Sequence, residues 1–277
     1  MKNNSSRILF NLNLLKREAK NFLGLRSKEP KPHFLGIGTQ KGGTTSLYKV
    51  LKSHSDVFLP ENKEIHYFTK YYNLGNEWYI KQFDNAKPGQ IRGEITPYYL
   101  FHESVPERIK QFNAKTLLVV LLRNPVERTL SQYFHSVRLG LEDLSLEDAL
   151  NIEEERLAAS KSIVKVAGNT HVSHQEHSYL SRSKYDEQIK RYLNYFDKKN
   201  LLILKSEDLF KNNYSSLNLL SKFLGIKKFP KTVKVPNENR GKGESAQVPQ
   251  RIKEQIIGEL AYTYQWIEKE LGITWDF

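Results

Sequence analysis

Phe34-Leu35-Gly36-Ile37-Gly38 runs straight into Thr39-Gln40-Lys41-Gly42-Gly43-Thr44-Thr45-Ser46. The first five residues form a short apolar run cut by glycines, the pattern of a buried strand. From Thr44 to Ser53, Leu47, Val50 and Leu51 fall on one face at helical spacing. Strand, glycine-rich turn and helix together form the opening unit of a nucleotide-binding α/β domain. Glycines let successive N–H groups converge on an anion, and the helix N-terminus adds partial positive charge. Thr44, Thr45 and Ser46 supply hydroxyl donors to the same place.

Thr116 to Leu122 is a second buried strand, six apolar residues without polar alternation, as in a parallel sheet covered on both faces. Arg123-Asn124-Pro125 closes it, and Pro125 suits the first position of a helix running to about Leu139. Leu201 to Leu204 reads as a third strand, with helices expected over Leu146–Ser160, Ser181–Phe196, Ser215–Leu224 and Val248–Leu271. The expected fold is α/β: one P-loop-like domain with a central, mostly parallel sheet flanked by helices. It is expected to span residues 33–277, after a basic leader over 1–32 that reads as a surface helix.

Composition narrows the partners. The net charge of +12 points to anions without choosing among nucleotide, nucleic acid, acidic lipid and polyanionic glycan. With no cysteine, thiol nucleophiles and zinc ribbons are excluded. No apolar run reaches the roughly 18 residues of a membrane span, and no signal-peptide cleavage site follows the leader. A cytoplasmic protein is therefore expected, with peripheral membrane contact through the leader as the open alternative. His171, His174 and His177 lie three residues apart but lack a fourth ligand, so no metal is expected.

A nucleoside-triphosphate loop would place Gly-Lys-Ser/Thr four residues after its first glycine. Here that spacing from Gly38 ends at Gly43-Thr44, and the lysine has moved inside the loop to position 41. A magnesium-binding Asp after the next strand is missing too; Arg123 stands there. Lys41-Gly42-Gly43-Thr44-Thr45-Ser46 resembles the 5′-phosphosulfate loop of the sulfotransferase family. The stretch Arg123 to Tyr133 is similar to that family's 3′-phosphate signature. The likeness extends through Lys63-Glu64-Ile65-His66-Tyr67-Phe68, Gly93-Glu94-Ile95-Thr96-Pro97, Pro106-Glu107-Arg108-Ile109, Ser206-Glu207-Asp208-Leu209 and Arg240-Gly241-Lys242-Gly243. This order is similar to the heparan sulfate branch and its bacterial relatives.

The resemblance implies a sulfotransferase using 3′-phosphoadenosine 5′-phosphosulfate and releasing adenosine 3′,5′-bisphosphate. Lys41 would stabilise the leaving group, with Gly42, Gly43, Thr44, Thr45 and Ser46 around the phosphosulfate. Arg123 and Ser131 would hold the 3′-phosphate, and Arg240, Gly241, Lys242 and Gly243 would close over that end. Glu64 inherits the role of base, and His66 that of acceptor orientation. His102 is the fallback base, and Arg128 is equally well structural. Ile95 and Thr45 stand where animal heparan sulfate enzymes carry cations, so the expected acceptor is another glycan, a glycolipid or a small metabolite in a bacterial cell. No specific nucleic acid is expected as a partner. A magnesium-dependent phosphotransferase and a non-catalytic polyanion-binding module are the competing readings.

Overall fold

The computed structural model describes residues 31–211, 213–236 and 243–276. Five strands make one sheet: β1 (Phe34–Gly38), β2 (Val57–Phe58), β3 (Ile91–Ile95), β4 (Leu117–Leu122) and β5 (Leu201–Lys205). Their order is β2-β3-β1-β4-β5, and every pairing is parallel. The sheet is thus wholly parallel, and its central strands β1 and β4 are buried along their whole length.

Side chains alternate across a strand, so an unbroken apolar run supplies two faces at once. Leu35, Ile37, Leu118, Val120 and Leu122 face a core that includes Tyr79, Tyr99, Tyr185, Ile189 and Ile267. Phe34, Leu117, Val119 and Leu121 face the opposite core, with Leu47, Leu51, Leu209, Leu220 and Phe223. Helices Thr44–Lys52 and Asn213–Leu224 cover the second face, and Tyr185–Leu193 and Ala261–Leu271 the first.

The chain leaves β1 toward β2 and β3 on one side, then crosses to β4 and β5 on the other. The strand order therefore reverses between β1 and β4. Ligands of open parallel sheets collect at the carboxyl ends of such strands. The glycine loop after β1 and the Arg123 turn after β4 both lie there.

Three expectations need correction. The segment 146–160 is not one helix but Leu146–Asn151 and Glu153–Ala158, followed by Ser160–Lys165. The break turns Glu153 inward, where it accepts the N–H groups of Leu180 and Ser181 at 2.7 and 2.8 Å. Val248–Leu271 likewise divides into Gln250–Glu259 and Ala261–Leu271 at the fully buried Leu260, just after the weak helix former Gly258. Strands β2 and β3 were not expected: two residues are too few for periodicity, and Arg92 and Glu94 interrupt the apolar pattern of β3. Among the described residues, no helix is long and apolar enough to cross a membrane. Residues 1–30 of the expected leader lie outside the described residues, as do Arg240, Gly241 and Lys242.

Candidate active site

The glycine loop is folded hard against β4. Thr39 donates its N–H to the Leu121 carbonyl at 2.9 Å, and Gly42 closes the turn onto the Thr39 carbonyl at 3.0 Å. A Cβ on Gly42 would sit 2.9 Å from the Thr39 oxygen and 3.0 Å from the Leu121 oxygen, so only glycine passes. Gly43 takes φ 90° as N-cap of Thr44–Lys52 and offers no side-chain cap to that helix end. In this loop Gly43 and Thr45 are half-exposed, whereas Ser46 has no exposed surface.

Lys41, half-buried, holds a left-handed φ of 67°. Its ammonium pKa is lowered to about 8 by burial first, then by Arg138, Arg123 and Arg128. His135 is pushed down by burial, Lys41 and Arg138. A lysine crowded by three guanidinium groups has the field of an anion site.

Arg123 meets the loop directly: one guanidinium nitrogen donates to the Lys41 carbonyl at 3.3 Å, and another lies 3.3 Å from Glu127. The helix Pro125–Arg138 starts with Asn124 as side-chain cap on the Glu127 N–H. Ser131 is half-buried on that helix, eight residues beyond Arg123. Arg128 is structural. Fully buried, it donates to Ser183 Oγ at 2.6 Å and to the Tyr179 carbonyl, clamping the helix to segment 179–183.

Two residues after β5 join both turns. Ser206 Oγ donates to the Gly42 carbonyl at 2.8 Å, while Glu207 accepts the Asn124 N–H at 2.9 Å and the Trp275 indole N–H at 2.9 Å. Sequence reading noted Ser206 and Glu207 only as a likeness. The strand-end rule that singled out Arg123 applies to them as well.

On the other side of β1, the segment Lys63–Phe68 packs over the end of β3. Glu64 and His66 both adopt left-handed backbone, with φ 67° and 57°. Lys63 Nζ lies 2.5 Å from one Glu64 oxygen, and His66 Nε2 is 3.5 Å from the other. Burial alone would push this carboxyl up, but His66 and Lys63 outweigh it and hold it at about 2. Tyr98 lies beside His66, with ring centroids 6.2 Å apart, and carries the Arg182 guanidinium 4.9 Å above its ring. Glu64 and Glu176 both act on the charge of the buried Arg182, and Glu176 also acts on Lys41. One electrostatic neighbourhood thus spans Lys41, Glu176, Arg182 and Glu64.

Of the remaining histidines, His102 and His174 pack together in the interior, ring centroids 5.8 Å apart with Tyr98 against both, and His177 lies apart from them. His102 is 1% exposed, accepts the Ser104 N–H and is lowered to about 3 by burial, Arg108 and Arg191, so it presents no ring to the cleft. His174 lies 2.5 Å from the Tyr98 hydroxyl, whereas His177 reaches the Leu141 carbonyl. His174 sits in a short helix, Val172–Glu176, with His171 and His177 at its two caps. Among the described residues, no group of three or more His, Asp or Glu is placed to hold a metal ion. Gly243, the described end of the late basic loop, is followed by Glu244, which pairs with Arg138 at 2.7 Å.

Comparison with known proteins bears on the family and the fold. Human heparan sulfate glucosamine 3-O-sulfotransferase 5 is 30% identical over 197 residues, covering 70% of this chain and 54% of that protein. The membrane-associated sulfotransferase kil1 of Dictyostelium discoideum is 40% identical over 110 residues, 39% of this chain and 23% of that protein. The chain thus spans about half the length of the first and about a quarter of the second. A sulfotransferase from Alicyclobacillus acidocaldarius shares the fold, with a TM-score of 0.72 at 22% identity over 88% of this chain and 97% of that one. The sulfotransferase domain family matches residues 31–263, and the chain belongs to it.

Proposed function

We propose that this protein transfers a sulfuryl group from 3′-phosphoadenosine 5′-phosphosulfate to a hydroxyl or amine of a glycan, glycolipid or small metabolite. One observation carries the reading: the order of the three elements across the sheet. Glu64 sits over β3, Lys41 follows β1 and Arg123 follows β4, with β1 between the other two. Adjacent strands are about 4.8 Å apart. This order supports reading Glu64 as base, Lys41 at the sulfuryl group and Arg123 as nucleotide anchor, set side by side along the carboxyl edge.

The donor has two anionic ends, and the residues present fit both. Lys41 and the uncapped N-terminus of Thr44–Lys52 suit the 5′-phosphosulfate, with Gly42, Gly43, Thr45 and the hydroxyls of Thr44 and Ser46 around it. Arg123, with Ser131 further along its helix, suits the 3′-phosphate. The late loop through Arg240, Gly241, Lys242 and Gly243 would close over that end.

In the reaction the acceptor oxygen or nitrogen attacks sulfur as the bond from sulfur to the phosphate oxygen breaks. The electron pair stays on that phosphate oxygen, where Lys41 stabilises the growing charge more than it does the ground state. The acceptor's proton passes to Glu64. His66 holds the acceptor side. We place the catalytic unit at residues 33–277 in a cytoplasmic setting, with the basic leader available to rest on a membrane surface.

Two measurements test this. Calorimetry should show binding of adenosine 3′,5′-bisphosphate, and incubation with 35S-labelled donor and cell extract should label an acceptor. Magnesium-dependent consumption of ATP without bisphosphate binding would replace this reading with a phosphotransferase. Salt-sensitive polyanion binding without stabilisation by bisphosphate would replace it with a binding module.

A further inference from the structure

Glu94 on β3 is 2% exposed, deep beneath the segment that carries Glu64 and His66. A buried carboxylate is costly unless its oxygens are satisfied. Here Tyr79 and Tyr99 donate their hydroxyls to one oxygen at 2.6 and 2.9 Å, and Thr96 Oγ donates to the other at 2.9 Å. The Ile65 backbone N–H also favours the charged form of this carboxylate.

These partners do more than neutralise Glu94. Thr96 Oγ accepts the His66 N–H at 3.4 Å, and the Tyr99 hydroxyl accepts the Phe68 N–H at 3.3 Å. Arg108 fixes the Phe68 carbonyl at 2.8 Å. The N–H groups of His66 and Phe68 therefore end on side chains bonded to Glu94, and that of Ile65 acts on Glu94 itself. They lie in and just after the stretch where two non-glycine residues hold left-handed backbone. Such backbone is strained and persists only where its surroundings over-determine it.

We propose that Glu94 is a positioning residue for the base: its network fixes the turn that brings the Glu64 carboxylate and the His66 ring together at the edge of the cleft. The proposal rests on Glu64 being the base. Tyr79 is the internal control, since it bonds Glu94 from the core and no described hydrogen bond joins its hydroxyl to the turn.

The test compares Glu94→Gln, Thr96→Val and Tyr79→Phe by carbon-13 NMR of the Glu64 carboxyl at pH 4. The signal is identified by its loss in Glu64→Gln. In the parent protein Glu64 should be almost fully ionised at that pH. In Glu94→Gln and Thr96→Val, loss of the His66 contact should let its titration move toward the ordinary value of about 4.3, leaving a clearly larger protonated fraction than in the parent protein. In Tyr79→Phe the signal should stay at the ionised position even if the melting temperature falls. Turnover should drop at least tenfold in the first two variants, while bisphosphate affinity holds within about twofold.

A Glu64 signal unmoved in folded Thr96→Val would overturn the proposal, and that variant decides alone if Glu94→Gln fails to fold. An equal shift in Tyr79→Phe would also overturn it by reducing Glu94 to a general support of the core. Failure of the parent protein to bind bisphosphate would instead count against the sulfotransferase reading, leaving the NMR result on the turn intact.

Discussion

Lys41 shows how one side chain is set for chemistry by its surroundings. Its backbone is left-handed, and partial burial, followed by three nearby arginines, brings its ammonium down to about 8. Charged at pH 7, it can stabilise the leaving phosphate, and that help fades as pH passes about 8. We expect kcat/KM to decline above that pH with an ammonium-like midpoint. Lys41→Met should lower turnover by about 10²–10³ or more, the loss typical of removing one transition-state donor, with the melting temperature largely kept. Glu64 gives the opposite limb. His66 and Lys63 hold it at about 2, so its charge survives into acid. Removing one partner in Lys63→Ala should raise that value and move the acidic limb of the rate profile upward. An unmoved limb would separate Glu64 from proton transfer.

At the scale of elements, the two turns proposed to hold the donor's anionic ends are held in register by a third that sequence reading left without a role. Ser206 bonds the carbonyl of Gly42, and Glu207 bonds the Asn124 N–H, so β5 fixes the spacing between the loop after β1 and the turn after β4. Glu207→Gln should leave the cations in place yet weaken bisphosphate binding by about tenfold, because a two-ended ligand depends on that spacing. An affinity within twofold of the parent would show that the helix starting at Pro125 holds the turn unaided. Gly43→Ala tests the loop itself. With φ at 90° and Phe210 ring carbons 2.9 Å from the new Cβ, it should cost about 1–3 kcal/mol in denaturant unfolding.

Across the whole molecule, buried carboxylates shape stability against pH. Burial raises Glu94 from its ordinary 4.5 to about 7 despite hydrogen bonds from Tyr79, Tyr99, Thr96 and Ile65 that favour the charged form. Between those values the unfolded chain has released a proton that the folded protein still holds. Stability from this group is therefore full below about 4.5 and lost as pH rises through about 7. Melting curves should show this decline in the parent protein and a flatter profile in Glu94→Gln; parallel profiles would mean that Glu94 is ionised throughout. Glu64 and Glu142, both held at about 2, act in a separate window, losing their contribution as pH falls below about 4.5.

The β1 and β4 runs, the displaced lysine and Pro125 after Arg123 were enough to read a parallel sheet with two anion turns. Those features are local: an apolar run, a glycine turn and a proline at a helix start each carry their meaning within a few residues. The chain order could not reveal that β1 lies between β3 and β4, because strand order arises from pairings between segments distant in sequence. Nor could it reveal β3, whose Arg92 and Glu94 look unfit for a buried strand until Tyr79, Tyr99 and Thr96 supply partners from elsewhere. The breaks at Ile152 and Leu260 have the same origin, since tertiary burial of Glu153 and Leu260 outweighs helical periodicity. The chemistry on offer was written in residue types. Its geometric order across the sheet, and the carboxylate beneath the proposed base Glu64, were decided by packing.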